Sequence, residues 1–392
     1  MVNQERLDRM RRAMQSERLD ALILRLPENV LLLSGFWPMI GATVFVFPLD
    51  GPPHTIAPHC YETETSCSVW ETNLSHYTYG VLEAGVPGEA ILNILSGIAK
   101  DKRWSCIGFE ERLDVAAPSW NSAEFLLPGE HNRELLREAF PYSKLVDVSA
   151  LVQRERRTKT EYEKEKLRIA SEISCIGLST FDRIVEVGVS GVELAAQVER
   201  DVMAVGTGHR GALRVRAFAQ VAVGPDETAV GYRPNEVSTT RRLQGGEVAL
   251  LELGVVVDGF WADRTRVRIA GKATEEQSRI FEAVRRAQEA AISEIRPGAK
   301  ASQVDEAARS AIRDAGYADY FPHITGHGLG FRYHESSPIL SPSSSEILEE
   351  GMFTSVEPGV YKKAVGGFRI EDDVLVARTG AEVLGAHLKA LA

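Results

Sequence analysis

The residues best suited to chemistry in this chain are closely spaced histidines and four acids carried on strand-like runs. His327 and His334 stand seven residues apart in ITGHGLGFRYHE, and His323 precedes His327 by four. Gly326 and Gly328 flank His327; glycine removes steric bulk and widens backbone freedom, so this imidazole can approach a ligand or metal closely. Such a histidine serves as a metal ligand or exchanges protons near neutral pH. A glycine-bent loop of solvated histidines is the alternative that the segment alone leaves open.

The acids give the histidines partners. In EVALLELGVVVDGFWADRTRVRI, two β-rich runs meet at Asp258-Gly259, a strong signal for a two-residue hairpin. If Val257 faces Phe260, then Gly254 faces Asp263 and Glu252 faces Thr265, so Glu252 and Asp263 share one sheet face. Leu251, Leu253, Val255 and Val257 make the other face apolar. Unpaired carboxylates in that setting repel one another unless protonated or bridged by a cation. A second pair of runs, GMFTSVEPGVY and FRIEDDVLVA, carries Glu357 and Glu371 about a glycine-containing turn. Four carboxylates and one imidazole suit two adjacent divalent ions of the harder kind, Mn²⁺ or Co²⁺ before Zn²⁺. Arg369, two residues before Glu371 and expected on the same strand face, serves as an ion-pair partner and as a holder of a substrate carboxylate.

The elements that position these residues look duplicated. Segments 188–206 and 298–316 are glycine-bounded amphipathic helices of equal length, each preceded by another helical stretch (162–187 and 275–295) and followed by strands. Glu357 follows Glu252 by 105 residues and Glu371 follows Asp263 by 108, close to the 110-residue offset of the helices. Upstream, a helix over 3–15 and strands at 21–26, 42–47 and 105–109 alternate, ATVFVFPLD and HTIAP read as a hairpin, and KLVDVSALV reads as a strand. The run QRERRTKTEYEKEKLR then opens a long helix, with Thr160 and Glu163 spaced as a capping box. This predicts an α+β protein with an α/β domain over 1–153 and a duplicated helix-helix-strand domain over 154–392. With 392 residues and 44% hydrophobic content, two cores are affordable. A net charge of -10 argues against a nucleic-acid partner. No run is long and apolar enough to span a membrane, and the four cysteines lack metal or disulfide spacing, so a cytoplasmic protein is expected.

The motifs ELGVVVDGFWADRTR, PHITGHGLGFRYHE, SVEPGVY and GFRIEDDVLV, in that order, resemble the pita-bread metallopeptidases: Xaa-Pro dipeptidases, Xaa-Pro aminopeptidases and methionine aminopeptidases. The extra N-terminal domain is similar to that of the creatinase/prolidase type. The resemblance implies Asp263, His327, Glu357 and Glu371 as metal ligands, Glu252 at the first ligand position, and Asp263 and Glu371 bridging two ions. It implies His323 and His334 as substrate-side groups, Glu357 as a proton relay, a hydroxide between the ions attacking the Xaa-Pro bond of dipeptides or short peptides, and a homodimer. Two departures stand out. Glu252 occupies a position where aspartate is usual, and its extra methylene weakens the second ion's site. No histidine lies between His209 and His323, and Gly231 stands where a substrate-contacting histidine is usual; Tyr232, Arg233 and His209 are the candidate substitutes. Two other readings compete with the peptidase: a creatinase-like or ectoine-hydrolase-like C–N hydrolase of a small non-peptide amide or amidine, and an inactive pita-bread binding protein.

Overall fold

A computed structural model of the chain describes residues 2–70, 72–79, 81, 86–112, 130–232 and 238–391. The described residues form two compact units that part between Arg156 and Arg157.

The first unit runs α1 (Gln4–Ser16), β1 (Ala21–Leu24), α2 (Pro27–Ser34), β2 (Val44–Pro48), β3 (His54–Pro58), α3 (Glu62–Ser68), β4 (Asn73–Tyr77), α4 (Pro87–Asp101), β5 (Cys106–Phe109), α5 (Glu130–Ala139), β6 (Lys144–Asp147) and α6 (Ser149–Arg157). Its strands make one mixed sheet in the order β4-β3-β2-β1-β5-β6. The expected hairpin is β2 with β3, Val44 opposite Ile56. Ile23, Val46, Ile107 and Phe109 of the sheet pack with Ile91 of α4 and Leu136 of α5. KLVDVSALV does not continue as a strand. The Asp147 carboxylate accepts from Ser149 N at 2.9 Å and from Ser149 Oγ at 2.5 Å, and this local turn starts α6. The charged run is therefore divided: QRERR belongs to α6, and a new helix begins after Thr160.

The second unit repeats helix, helix, strands. Its first half is α7 (Glu161–Ile184), α8 (Gly191–Gly206), β7 (Val215–Val223), α9 (Gly224–Thr228), β8 (Val248–Val257) and β9 (Phe260–Ile269). The second half is α10 (Glu275–Glu294), α11 (Ala301–Asp314), β10 (Gly326–Gly328), β11 (Glu335–Leu340), β12 (Phe353–Val356), β13 (Gly359–Lys362), β14 (Gly366–Arg369), β15 (Asp372–Ala377) and β16 (Gly380–Val383). The capping box at α7 is present: Thr160 N donates to Glu163 Oε2 at 2.9 Å and Glu163 N to Thr160 Oγ1 at 3.4 Å. Two cores result: Leu253 and Val255 of β8 pack in one, and Val356 and Phe368 in the other together with Val248 and Leu250 of β8.

The hairpin β8–β9 follows the expected register. Val257 pairs with Phe260, Gly254 with Asp263 and Glu252 with Thr265. Positive φ at Asp258 (50°) and Gly259 (93°) gives the turn whose twist suits paired strands. The matching runs of the second half are broken where two continuous strands were expected. β12 pairs with β15 and β13 with β14, so the chain leaves one sheet at Glu357-Pro358 and returns at Ile370-Glu371. Proline has no N–H to donate to a ladder, which accounts for the first break. Among the described residues no helix is long and apolar enough to cross a membrane.

Candidate metal centre

Glu252 stands mid-strand in β8, Asp263 in β9, His327 in β10, Glu357 just after β12, and Glu371 at the break between β14 and β15. The two breaks of the second half therefore present an acid each, while the unbroken hairpin of the first half presents two. Thr265 in β9 forms an isolated bridge to Glu371, which brings the halves together at the acids.

His327 is only 4% exposed and lies in a strand, so the solvated-loop alternative does not hold. Its flanking glycines are required by space: a Cβ at Gly326 would stand 2.0 Å from Ser355 O, and one at Gly328 would stand 2.0 Å from Ser337 O. The ring Nδ1 lies 2.9 Å from Gly328 O, a group that can only accept. Nδ1 therefore keeps its proton, and Nε2, 3.3 Å from Glu357 Oε1 and 3.6 Å from Asp263 Oδ2, is the nitrogen that gives up its own to a cation. That leaves the tautomer a metal needs.

The acids carry the signature of a site built around missing positive charge. Burial pushes Asp263 up to about 7, and Glu252 and Glu357 push the same way against the opposing pull of His327. Burial raises Glu357, and burial with the charges of Asp263 and Glu357 holds Glu371 well above the ordinary carboxylate range. Burial disfavours charge on His327, but contact with Asp263 and the charge of Glu357 outweigh it and push the ring up to about 9. A divalent ion relieves all four groups at once. Glu371 Oε1 is buried with no hydrogen-bond partner, as expected of an oxygen reserved for a ligand. Ligand atoms of His327, Glu357 and Glu371 lie within 4.8 Å of one another, and so do those of Asp263, His327 and His334. The two groups share His327, whose Nε2 lies beside both Asp263 and Glu357, so Asp263, His327, Glu357 and Glu371 are the residues that would hold a divalent ion. His334, expected only on the substrate side, also comes within reach of it.

Glu252 is in neither converging group. Its Oε2 accepts from Arg369 Nη2 at 2.6 Å and its Oε1 from Tyr333 OH at 3.1 Å. Arg369 also donates from Nε to Thr265 Oγ1 at 2.9 Å and from Nη1 to Tyr361 OH at 3.0 Å. Of its two expected roles, the ion pair is the one formed here. The Thr265 hydroxyl in turn donates to Glu371 Oε2 at 2.6 Å. His323 Nδ1 faces Ile324 O at 2.7 Å, so the Nε2 lone pair accepts from Tyr361 OH at 2.9 Å. Burial and the nearby Arg369 bring His323 down to about 3, and burial, His327 and Arg369 bring His334 down to about 2. Both rings are neutral at physiological pH.

Four supporting residues were not read from the sequence: Thr265, Tyr333, Tyr361 and Asp373, whose Oδ1 accepts from Asp263 N at 3.0 Å. Thr265 was within reach, since it alternates with Asp263 on one strand. Tyr333 was not, because its place depends on packing against β8. Of the substitutes considered near Gly231, Tyr232 joins the site, its ring 4.9 Å from Tyr361 and 6.4 Å from His323. His209 instead meets Glu172 at 3.0 Å on an exposed face, and Arg233 lies outside the described residues.

Known proteins resemble this chain in sequence and fold. Metallopeptidase family M24 matches residues 165–378, and the Creatinase/Prolidase N-terminal domain matches residues 6–158. An uncharacterized peptidase of Staphylococcus aureus is 34% identical over 277 residues, 68% of this chain and 74% of the relative. The structure of an Xaa-Pro dipeptidase from Bacillus anthracis superposes with a TM-score of 0.79 at 25% identity, covering 99% of each chain. A prolidase from Pyrococcus furiosus superposes with a TM-score of 0.76 at 26% identity, covering 97% of this chain and 100% of that one. With its creatinase-type first domain and its duplicated second one, the chain belongs to metallopeptidase family M24, a family of dinuclear metal enzymes.

Proposed function

We propose that the chain hydrolyses the Xaa-Pro bond of dipeptides or short peptides with a divalent ion held at Asp263, His327, Glu357 and Glu371. The observation that carries this reading is the convergence of His327 Nε2 with those carboxylates beside the neutral ring of His334. Bound there, the ion supplies the positive charge that acidifies a water molecule and polarises the scissile carbonyl. Three carboxylates against one imidazole favour Mn²⁺ or Co²⁺ over Zn²⁺.

The chain's own groups do the rest. Glu252 and Glu357 are the more open acids, their side chains 17% and 14% exposed against 2% for Asp263, so substrate enters along that edge. Glu357, on the more open edge of the acids, would take a proton from water and deliver it to the departing proline nitrogen. The His334 ring, 4.3 Å from that of His327, can hydrogen-bond the developing oxyanion without carrying charge itself. Tyr232, Tyr361 and Phe321 surround His323 and offer a flat apolar wall for a prolyl ring. The names of the solved relatives, a prolidase and an Xaa-Pro dipeptidase, agree with that substrate class.

Chain freed of metal and reloaded with Mn²⁺ or Co²⁺ is expected to cleave Xaa-Pro dipeptides and leave Xaa-Ala dipeptides intact; no turnover with either ion contradicts the proposal. One observation favours a second reading, hydrolysis of a small non-peptide amide or amidine: Glu252 is occupied by Arg369 and Tyr333. Turnover of creatine-like or cyclic amidine substrates in place of dipeptides would select it.

A further inference from the structure

We propose that this chain takes up a single divalent ion, and that the hydroxyl of Tyr333 and the guanidinium of Arg369 stand in the place and supply the charge of a second. The inference rests on the metal-dependent reading above and specifies its metal content. A second ion beside the first, at the spacing of about 3.5–4 Å usual in two-metal sites, needs Glu252 and Asp263 to turn oxygens toward one common point. Tyr333 OH is at that point. It donates within reach of both carboxylates, 3.1 Å from Glu252 Oε1 and 3.0 Å from Asp263 Oδ1.

The tyrosine is seated there by packing. Its ring lies over Gly254, the residue paired with Asp263 across the hairpin, where a Cβ would stand 2.8 Å from the ring. The rings of Trp261 and His334 hold it at centroid distances of 5.3 and 4.5 Å. A carboxylate can only accept, so the phenol hydroxyl between the two acids is the donor. Arg369 closes the other side. It is 3% exposed, bonded to Thr265, Tyr361 and Glu252, and so fixes a positive charge 2.6 Å from the carboxylate that a second ion would need. A dication placed next to it meets like charge in a low-dielectric setting.

The two carboxylates expected to bridge a pair of ions are divided in the same sense. Asp263 gives Oδ1 to Tyr333 and turns Oδ2 toward His327; Glu371 gives Oε2 to Thr265 and leaves Oε1 without a partner. Each keeps one oxygen for an ion. His327 Nε2 lies beside both Asp263 and Glu357, so the oxygens left over gather on the His327 side and not on the Glu252 side.

Manganese content and its electron paramagnetic resonance test this without recourse to turnover. The full-length chain, stripped by a chelator and equilibrated with Mn²⁺, is expected to hold one ion and to show the sextet of an isolated Mn²⁺. The double variant Glu252→Asp/Tyr333→Phe, which restores the shorter acid and removes the blocking hydroxyl, is expected to take up a second ion with an exchange-coupled spectrum. Tyr333→Phe alone keeps the ring on Gly254 and carries the same comparison if the double variant does not fold. Two coupled ions in the unaltered chain, or no ion at all, would overturn the inference; variants that stay at one ion would overturn the roles given to Tyr333 and Glu252. Xaa-Pro turnover on the same samples separates the two proposals. One ion without turnover defeats the peptidase reading alone, and two ions with turnover defeats this one alone.

Discussion

At the scale of single residues, the site is governed by who holds each lone pair. His327 is committed by its Nδ1–H to Gly328 O, so Nε2, which faces Glu357 and Asp263, is the nitrogen left to meet a cation. His327→Ala should therefore lower Mn²⁺ affinity by at least the roughly 10- to 100-fold that loss of an outer-shell partner costs, measured by calorimetric titration; unchanged affinity would remove His327 from the ligand set. The clustering of His327 with Asp263, Glu357 and Glu371 was legible because acids recurring at nearly one offset, together with a glycine-flanked histidine, have few other uses. Tyr333 was not legible. Nothing in RYHE signals that its hydroxyl reaches Glu252 and Asp263; that follows from the space left over Gly254 on a strand far away in sequence.

At the scale of elements, position depends on where strands continue and where they stop. The β8–β9 register could be derived because a two-residue turn leaves one pairing, and every pair then follows. The break at Ile370-Glu371 could not, because FRIEDDVLV alternates as well as any strand and departs only because Glu371 bonds across to Thr265. SALV read as strand for the same reason, until the Asp147 turn made it helix. The short strand β10 depends on absent side chains. Gly328→Ala would drive a Cβ to 2.0 Å from Ser337 O, and overpacking of that kind costs about 1–3 kcal/mol or more; urea unfolding should show it, and an unchanged midpoint would refute the steric reason given for this glycine.

In the first unit, Glu110 sits fully buried, accepting from Arg25 N at 2.6 Å and Asn29 Nδ2 at 2.9 Å, and burial pushes it up from 4.5 to about 7. The folded chain then binds more protons than the unfolded one between those values, so stability falls as pH rises through that window and levels off above it. The loss is on the order of 3 kcal/mol. Glu110→Gln should flatten this dependence between pH 5 and pH 8. Parallel stability profiles for the two proteins would contradict the assignment.

At the scale of the whole molecule, the duplicated plan was readable from helix spacing and the offset of the acids, since a repeated order of elements survives when residue identity does not. The candidate ligands all lie in the second unit, Asp263 in its first half and His327, Glu357 and Glu371 in its second, with Arg369 and Thr265 tying the halves together around Glu371. We propose that the chain is a homodimer, as its resemblance to the creatinase/prolidase type implies, and light scattering of the purified chain should then give twice the mass of one polypeptide; a monomeric mass would refute that expectation. Substrate was the least legible property, because the wall proposed to take the prolyl ring, formed by Tyr232, Tyr361 and His323, is assembled by packing that no local pattern announces. Comparison of Xaa-Pro and Xaa-Ala dipeptide hydrolysis by chelator-stripped and Mn²⁺-restored chain decides the matter. Activity that vanishes on stripping, returns with Mn²⁺ and is confined to the prolyl substrate is the predicted result; equal activity with and without metal, or none on any Xaa-Pro dipeptide, would contradict it.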